Sequence, residues 1–261
     1  MGLLDSYKIK SFLKNGVKFE NQGEYLKALA CYDKAEKLDP ENFYIWYNKG
    51  VSFSKLGKYF EALESYNKAI KINPKDFRAW YNRGNAFNGL EKYEKAICSF
   101  DKALNINPNF SSAWNNRGNA LEGMGKYEEA IKCKDKALSI DPDYVVAWYS
   151  KAKILERCEK YDEALECLDN VLELDPKHDA AWNNKGVIYG YIRDWENALK
   201  CFNEDLKIHP EKFKSYYGKG LVFKNLGKPE EALECFDKAL KLNPDFEPAK
   251  NEKEEILSSQ S

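Results

Sequence analysis

Seven of the nine prolines recur at a constant spacing of 34 residues along the chain. They are, in order, Pro40, Pro74, Pro108, Pro142, Pro176, Pro210 and Pro244. A fixed period of this length marks a repeat architecture, in which one supersecondary unit cannot bury its apolar face alone. Such arrays bury their core between neighbouring units and offer an extended surface. The spacing therefore predicts a repeat protein that works by binding, because no single enclosed pocket is implied.

The apolar residues between the prolines follow the period of a helix. With proline at position 32, the repeats are 9–42, 43–76, 77–110, 111–144, 145–178, 179–212 and 213–246. Position 4 is always aromatic, position 8 is glycine or alanine, and position 11 is a large apolar residue. That spacing predicts a helix A, and a second apolar stripe, with alanine at position 20 in every repeat, predicts a helix B.

The break between the two stripes lies near position 15 of each repeat. Glycine occupies this position in four repeats and suits the left-handed conformation that often ends a helix. The other three repeats carry Glu91, Glu159 and Arg193 there. Proline at position 32 cannot continue helix B, so each repeat is predicted to be a helical hairpin.

The combined pattern W-x-x-x-G-x-x-F/Y, then A-x-x-x-F/Y-x-x-A, then proline, resembles the tetratricopeptide repeat (TPR) family over residues 9–246. The resemblance implies an all-α fold, a right-handed superhelical α-solenoid of helix-turn-helix repeats with helix A on its concave side. It also implies an N-terminal lead-in, 1–8, and a C-terminal capping helix and tail, 247–261. The polar residues of the tail suit a cap, which needs a solvated outer face.

The side of helix A opposite the core stripe is rich in asparagine and tyrosine. Asparagine offers both donors and an acceptor, so a row of them can bond the backbone of an extended peptide. Tyrosine adds rigid contact area at low entropic cost. The predicted peptide-binding residues are Tyr44, Tyr47, Asn48, Arg78, Tyr81, Asn82, Asn85, Asn88, Asn115, Asn116, Asn119, Tyr149, Asn183 and Asn184. The alternative is a solvated polar face without a ligand, because asparagine at these positions is common in the family.

The resemblance also raises the two-carboxylate clamp with which some family members hold the acidic tails of heat-shock chaperones. From repeat 3 onward the chain has the required Asn85 and Asn116. Tyr81, Val146 and Ser150 stand where the clamp needs cations. Two carboxylates would have little to pair with, so chaperone-tail binding is not expected.

Repeat 6 departs furthest from the pattern and offers a second candidate surface. Tyr191, Arg193 and Trp195 cluster near its turn, and aromatic residues and arginine are enriched where proteins meet. We expect a secondary contact site here, with a partner or a second copy of the chain. The sequence thus favours a non-catalytic scaffold that binds a partner's peptide or helix, with a self-associating homo-oligomer as the alternative.

Composition argues against several other function classes. Lys and Arg (41) nearly balance Asp and Glu (42), whereas nucleic-acid binding usually requires a basic chain. The two histidines, His178 and His209, and the absence of C-x-x-C leave few metal ligands. We therefore expect no enzyme activity, no cofactor, no metal, no nucleic acid and no membrane span.

Cysteine usage bears on the compartment. Five of the seven cysteines share position 23: Cys31, Cys133, Cys167, Cys201 and Cys235. Equivalent residues of successive repeats lie too far apart for a disulfide. Reduced thiols and the lack of a signal-like segment at the start favour a cytoplasmic location.

Overall fold

The computed structural model describes residues 3–259, and every regular element in that range is an α-helix. The all-α prediction is therefore confirmed for this part of the chain. Met1 and Gly2 of the expected lead-in, and Gln260 and Ser261 of the expected tail, lie outside the described residues. The chain divides into two compact units, residues 1–142 (unit 1) and 143–261 (unit 2).

Unit 1 consists of four helical hairpins, in which odd-numbered helices are A and even-numbered helices are B. Each B helix packs on its own A helix and on the next A helix of the unit. The helices are α1 Leu3–Asn21, α2 Tyr25–Glu36, α3 Phe43–Lys55, α4 Tyr59–Ile72, α5 Phe77–Gly89, α6 Tyr93–Ile106, α7 Ser111–Gly123 and α8 Tyr127–Ile140. The first helix begins inside the expected lead-in.

Unit 2 consists of three hairpins followed by one further helix that packs on the last B helix. Its helices are α9 Val145–Arg157, α10 Tyr161–Leu174, α11 Ala181–Tyr191, α12 Trp195–Ile208, α13 Phe213–Asn225, α14 Pro229–Leu242 and α15 Glu247–Ser259. Pro229 stands in the first turn of α14, where its missing N–H would have no partner within the helix.

The turn inside each hairpin uses the left-handed backbone conformation that the glycines predict. Gly57 has φ +72°, its N–H bonds the carbonyl of Ser54, and the next N–H, of Lys58, bonds the carbonyl of Phe53. This is the Schellman arrangement that ends many helices. Glu91, Glu159 and Arg193 adopt the same conformation, with φ of 56°, 58° and 60°. Left-handed backbone costs such residues roughly 1–2 kcal/mol, so three turns carry strain that glycine would avoid.

Glycine at position 8 brings helix A close to an aromatic ring on helix B of the same hairpin. A Cβ atom built on Gly84 would lie 2.5 Å from Phe100, which is fully buried. Four further pairs share this contact, with distances of 2.3–2.8 Å: Gly16–Tyr32, Gly50–Tyr66, Gly186–Phe202 and Gly220–Phe236. No side chain larger than hydrogen fits at these positions unless the ring moves.

A tryptophan at position 4 joins each of several repeats to the proline turn before it. The indole Nε1 of Trp46 donates to the carbonyl of Pro40 at 2.7 Å, and Trp80 and Trp114 do the same to Pro74 and Pro108 at 2.9 Å. Since proline ends helix B, its carbonyl has no helical partner. The tryptophan side chain therefore packs against apolar neighbours and also donates a hydrogen bond to the otherwise unpaired carbonyl of the proline turn.

Within each unit, successive A helices approach one another more closely than successive B helices do. α3 contacts α1 and α5, α5 contacts α7, and α11 contacts α13, whereas B helices of neighbouring hairpins make fewer contacts. The A helices thus line the inner side of each stack. We call the solvent-facing side of the A helices, which carries positions 2, 5, 6, 9 and 12 of the repeats, the A-helix face.

Replacing Gly84 by alanine should lower the free energy of unfolding by about 1–2 kcal/mol, because overpacking forces the Phe100 ring out of place. Gly190→Ala is the matched control, since a Cβ atom there meets nothing within 4 Å. The control should leave stability unchanged or raise it slightly. Urea unfolding followed by circular dichroism measures both, and equal effects would contradict the steric account.

Candidate functional site

The predicted peptide-binding residues lie on the A helices of both units. In unit 1 they lie on α3, α5 and α7, and they include every predicted residue from Tyr44 to Asn119. In unit 2, Tyr149 lies on α9, and Asn183 and Asn184 lie on α11.

Position 6 asparagines bond to tyrosines of the preceding repeat. The Nδ2 atom of Asn82 donates to the Tyr47 hydroxyl at 3.1 Å, and that of Asn116 donates to the Tyr81 hydroxyl at 3.0 Å. Asn184 and Tyr149 form the same pair at 3.0 Å. The sequence predicts a row of amides that face a ligand, but these amides also join neighbouring A helices. Part of the pattern is therefore structural.

The remaining predicted residues of unit 1 surround these pairs. Tyr44 is 57% exposed, and the guanidinium of Arg78 lies 5.6 Å from the Tyr47 ring while it pairs with Asp76. Asn48 is half-buried on α3. The Oδ1 atom of Asn88 is buried and has no hydrogen-bond partner among the described residues.

A buried lysine lies beneath the asparagines of α7. Lys134 occupies position 24, where five other repeats have a buried ring, and it is fully buried itself. Its ammonium donates to the carbonyl of Asn115 at 3.0 Å, to Oδ1 of Asn115 at 2.8 Å and to Oδ1 of Asn119. An ammonium has three N–H donors, so these oxygens satisfy it completely. No ion pair to Lys134 occurs within residues 3–259, and its charge therefore stays uncompensated by a direct carboxylate.

The lysine fixes the direction of a chain of amides. An ammonium can only donate, so it must hold the Oδ1 atoms of Asn115 and Asn119 and turn their Nδ2 atoms away. Both Nδ2 atoms donate to Oδ1 of Asn116, at 3.1 and 3.4 Å. Nδ2 of Asn116 then donates to Oδ1 of Asn85 at 2.8 Å. The Nδ2 of Asn85 ends the chain, and no described residue accepts a hydrogen bond from it. We call Asn85, Asn115, Asn116, Asn119 and Lys134 the amide relay.

Burial is the main influence on the charge of Lys134. It lowers the pKa of the lysine from 10.5 to about 8, while the nearby Glu122 and Cys133 act in the opposite direction. In most molecules the side chain of Lys134 is therefore still a charged ammonium at neutral pH. The relay begins at a positive charge and ends at a hydrogen-bond donor, so this part of the A-helix face favours ligands that bring acceptors.

Unit 2 contains a buried charge of the opposite sign, which also lies on a B helix, α12. Asp205 is fully buried and accepts a hydrogen bond from the hydroxyl of Ser215. Because the hydroxyl proton is used in this bond, Ser215 Oγ can only accept, and Nδ2 of Asn183 donates to it at 2.8 Å. Asn115 and Asn183 both stand at position 5 of their repeats. Lys134 donates to the side-chain oxygen of Asn115, whereas the side-chain nitrogen of Asn183 donates to Ser215, which in turn donates to Asp205. The Oδ1 of Asn183 therefore remains as the free acceptor of this amide.

The predicted secondary contact residues surround the turn between α11 and α12. Tyr191 is 59% exposed, and its ring centroid lies 5.7 Å from that of Tyr161. Tyr191, Arg193 and Trp195 line one cavity of about 590 Å³. Sequence reasoning identified these three residues but not the cavity. Lys134 and Asp205 were visible only as departures from the repeat pattern, a polar residue where others are apolar or small.

Membrane-spanning helices and metal-binding clusters are two other features that would point to a function. Within residues 3–259 no helix combines the length and apolar character that crossing a membrane requires. In the same range no three His, Cys, Asp or Glu side chains come together in a way that could hold a metal ion.

Comparison with protein families identifies the repeat. The pattern described as "Tetratricopeptide repeat" matches 77–110, 111–144, 145–178 and 213–246, and "TPR repeat" matches 19–57 and 52–90. The chain belongs to the tetratricopeptide repeat family. Residues 179–212, the repeat that departs furthest from the pattern, lie outside these matches. No curated protein matches the chain.

Solved structures agree with this assignment. YrrB, described as a TPR protein with an unusual peptide-binding site, is 26% identical with a TM-score of 0.64, over 74% of this chain and 99% of its own. MamA is 26% identical with a TM-score of 0.58, over 62% and 95%. The C-terminal part of a TPR protein from Cytophaga hutchinsonii has a TM-score of 0.76 at 14% identity, over 92% and 98%, and so bears on the fold alone. The predicted TPR solenoid is confirmed.

Replacing Lys134 by methionine should reveal the cost of the buried charge. The folded-state pKa of Lys134 lies below that of the unfolded chain, so the folded state loses the proton first. Below pH 8 the Lys134 side chain is protonated in both the folded and the unfolded state, so the folded wild type carries the full free-energy cost of a buried ammonium. As pH rises from about 8 to about 10.5, the wild type should gain stability relative to Lys134→Met.

Urea unfolding of both proteins across this pH range measures the difference. Lys132→Met, which removes an exposed lysine of the same helix, is the control for altered net charge. A stability gap between Lys134→Met and wild type that stays constant with pH would contradict the assignment of a buried, titrating ammonium.

Proposed function

We propose that this TPR protein is a non-catalytic interaction scaffold and that the A-helix face of unit 1 binds an extended peptide of a protein partner. The peptide's carbonyl groups, or an acidic side chain, accept hydrogen bonds from the amide relay. The observation that carries the proposal is the direction of the relay. Lys134 turns three amides the same way and leaves Nδ2 of Asn85 without an acceptor.

Physical chemistry favours a ligand at such a donor. A hydrogen bond within a chain of aligned dipoles strengthens its neighbours, and an ammonium at one end adds to that polarisation. An incoming acceptor at Asn85 would complete the chain. Neighbouring Tyr44, 57% exposed, and Tyr47 supply ring surface for the peptide's side chains.

A similar protein offers support of a different kind. YrrB shares 26% of its residues with this chain, and its description names a peptide-binding site. What YrrB binds and through which residues is a property of YrrB. Its similarity favours a peptide ligand over other classes of partner for the A-helix face.

The proposal predicts that Asn85→Asp weakens peptide binding at least about tenfold, since a donor becomes an anionic acceptor that repels carbonyl oxygens. The aspartate keeps an oxygen for Nδ2 of Asn116, so the bond within the relay is retained. Asn170→Asp is the control, because Asn170 is half-buried on a B helix of unit 2 and its side chain bonds to its own helix, at the carbonyl of Glu166.

The ligands for this test are peptides selected from a random display library on the immobilised full chain. Their affinities are measured by fluorescence anisotropy on wild type, Asn85→Asp and Asn170→Asp. Weaker binding to Asn85→Asp alone supports the proposal. Failure of the library to yield a binder, or equal affinity for all three proteins, would rule the relay out as a peptide site.

A further inference from the structure

Two glycines in unit 2 open the A-helix face where other repeats place polar side chains. Gly190 stands at position 12 and Gly218 at position 6, and each of the other six repeats has a longer residue at these positions. A Cβ atom on Gly190 would meet nothing within 4 Å. One on Gly218 would lie 2.5 Å from the Phe202 ring. The missing side chain of Gly190 leaves an empty space, and the missing side chain of Gly218 lets the Phe202 ring border that space.

The space so formed is the cavity of about 590 Å³ beside α11 and α13. Its walls include Val187, Phe202, Tyr217, Leu221 and Phe246. The rings of Tyr217 and Phe246 meet edge to face, with centroids 5.1 Å apart. A cavity of this size and apolar character matches pockets that enclose a ligand group, and it is large enough for a bulky apolar side chain.

The polar groups around the cavity all favour an acidic ligand with an amide N–H. Arg193 and Lys214 line it, both are exposed, and neither forms an ion pair within residues 3–259. None of the lining residues is Asp or Glu. Asn183 also lines the cavity, and because its Nδ2 donates to Ser215, its Oδ1 is the acceptor that remains for a ligand.

We infer that this cavity is a second binding site, for a peptide segment in which a bulky apolar side chain stands next to a carboxylate. The side chain occupies the space above Gly190 and Phe202. The carboxylate pairs with Arg193 and Lys214, and a backbone N–H of the segment donates to Asn183. The site lies in unit 2 and uses no residue of the amide relay, so it stands or falls apart from the proposed function.

The probes that test this inference are short glycine-serine peptides that carry a Trp–Glu, a Trp–Lys or an Ala–Glu pair. Each is titrated into the ¹⁵N-labelled full chain while the backbone amide signals of Gly190 and Gly218 and the indole signal of Trp195 are followed by NMR. The Trp–Glu peptide should bind at least about tenfold more tightly than either of the others, because it alone supplies both ring burial and charge pairing.

Gly190→Leu fills the cavity and should weaken Trp–Glu binding at least about tenfold without loss of thermal stability. Gly190→Ala, which adds one methyl group, is the matched control and should have a smaller effect. Arg193→Glu combined with Lys214→Glu should reverse the preference, so that Trp–Lys binds more tightly than Trp–Glu. The turn tolerates glutamate as well as it does arginine, since Glu91 and Glu159 occupy the equivalent position with φ of 56° and 58°.

Four results would overturn the inference. The first is that the three peptides bind equally tightly or do not bind, and the second is that Gly190→Leu binds the Trp–Glu peptide as tightly as the wild type does. The third is that free indole-3-propionate binds as tightly as the Trp–Glu peptide. The fourth is that the same NMR signals shift with protein concentration when no peptide is present. The third result would mean that the cavity binds a small organic acid, and the fourth that it binds a second copy of the chain. Asn85→Asp should bind the Trp–Glu peptide normally, which separates a failure of this site from a failure of the relay.

Discussion

The contact between glycine at position 8 and a ring at position 24 is the constraint on which five of the seven hairpins depend. The missing Cβ lets helix A approach an aromatic side chain that is itself almost fully buried, as at Gly84 and Phe100. Interiors packed to this density tolerate little change in volume. The fixed distance between the helices then sets where the next repeat packs, so the same pair of residues recurs with the 34-residue period.

One candidate site arises where this contact is replaced, and the other where it is kept beneath an open surface. In repeat 4 the ring is replaced by Lys134, whose ammonium needs oxygens and finds them on Asn115 and Asn119. In repeats 6 and 7 the ring of Phe202 is kept, but Gly218 meets it from the next A helix and the surface above stays open. A buried cation makes one surface a donor of hydrogen bonds, and a pair of glycines makes the other an apolar cavity.

The repeat itself could be predicted from the sequence, because proline, glycine and aromatic residues act locally and recur in phase. The left-handed turns at Gly23 and Gly57 follow from the same reasoning. The amide relay could not be predicted, since its direction depends on a lysine nineteen residues from Asn115 in the chain and on the fact that an ammonium only donates. The cavity depends on a side chain that is absent in two successive repeats, which no single-repeat pattern reveals.

The central claim is that Lys134 orients the asparagines above it, and the variant Lys134→Phe tests it most directly. Phenylalanine is the ring that repeats 3, 6 and 7 carry at this position, so the hairpin should stay packed while the cation is lost. The measurement is the ¹H–¹⁵N spectrum of the side-chain amides of Asn85, Asn116 and Asn119. In the wild type these signals should be dispersed and slow to exchange with water, and in Lys134→Phe they should collapse to the positions of freely rotating amides. Unchanged signals in a folded variant would contradict the account.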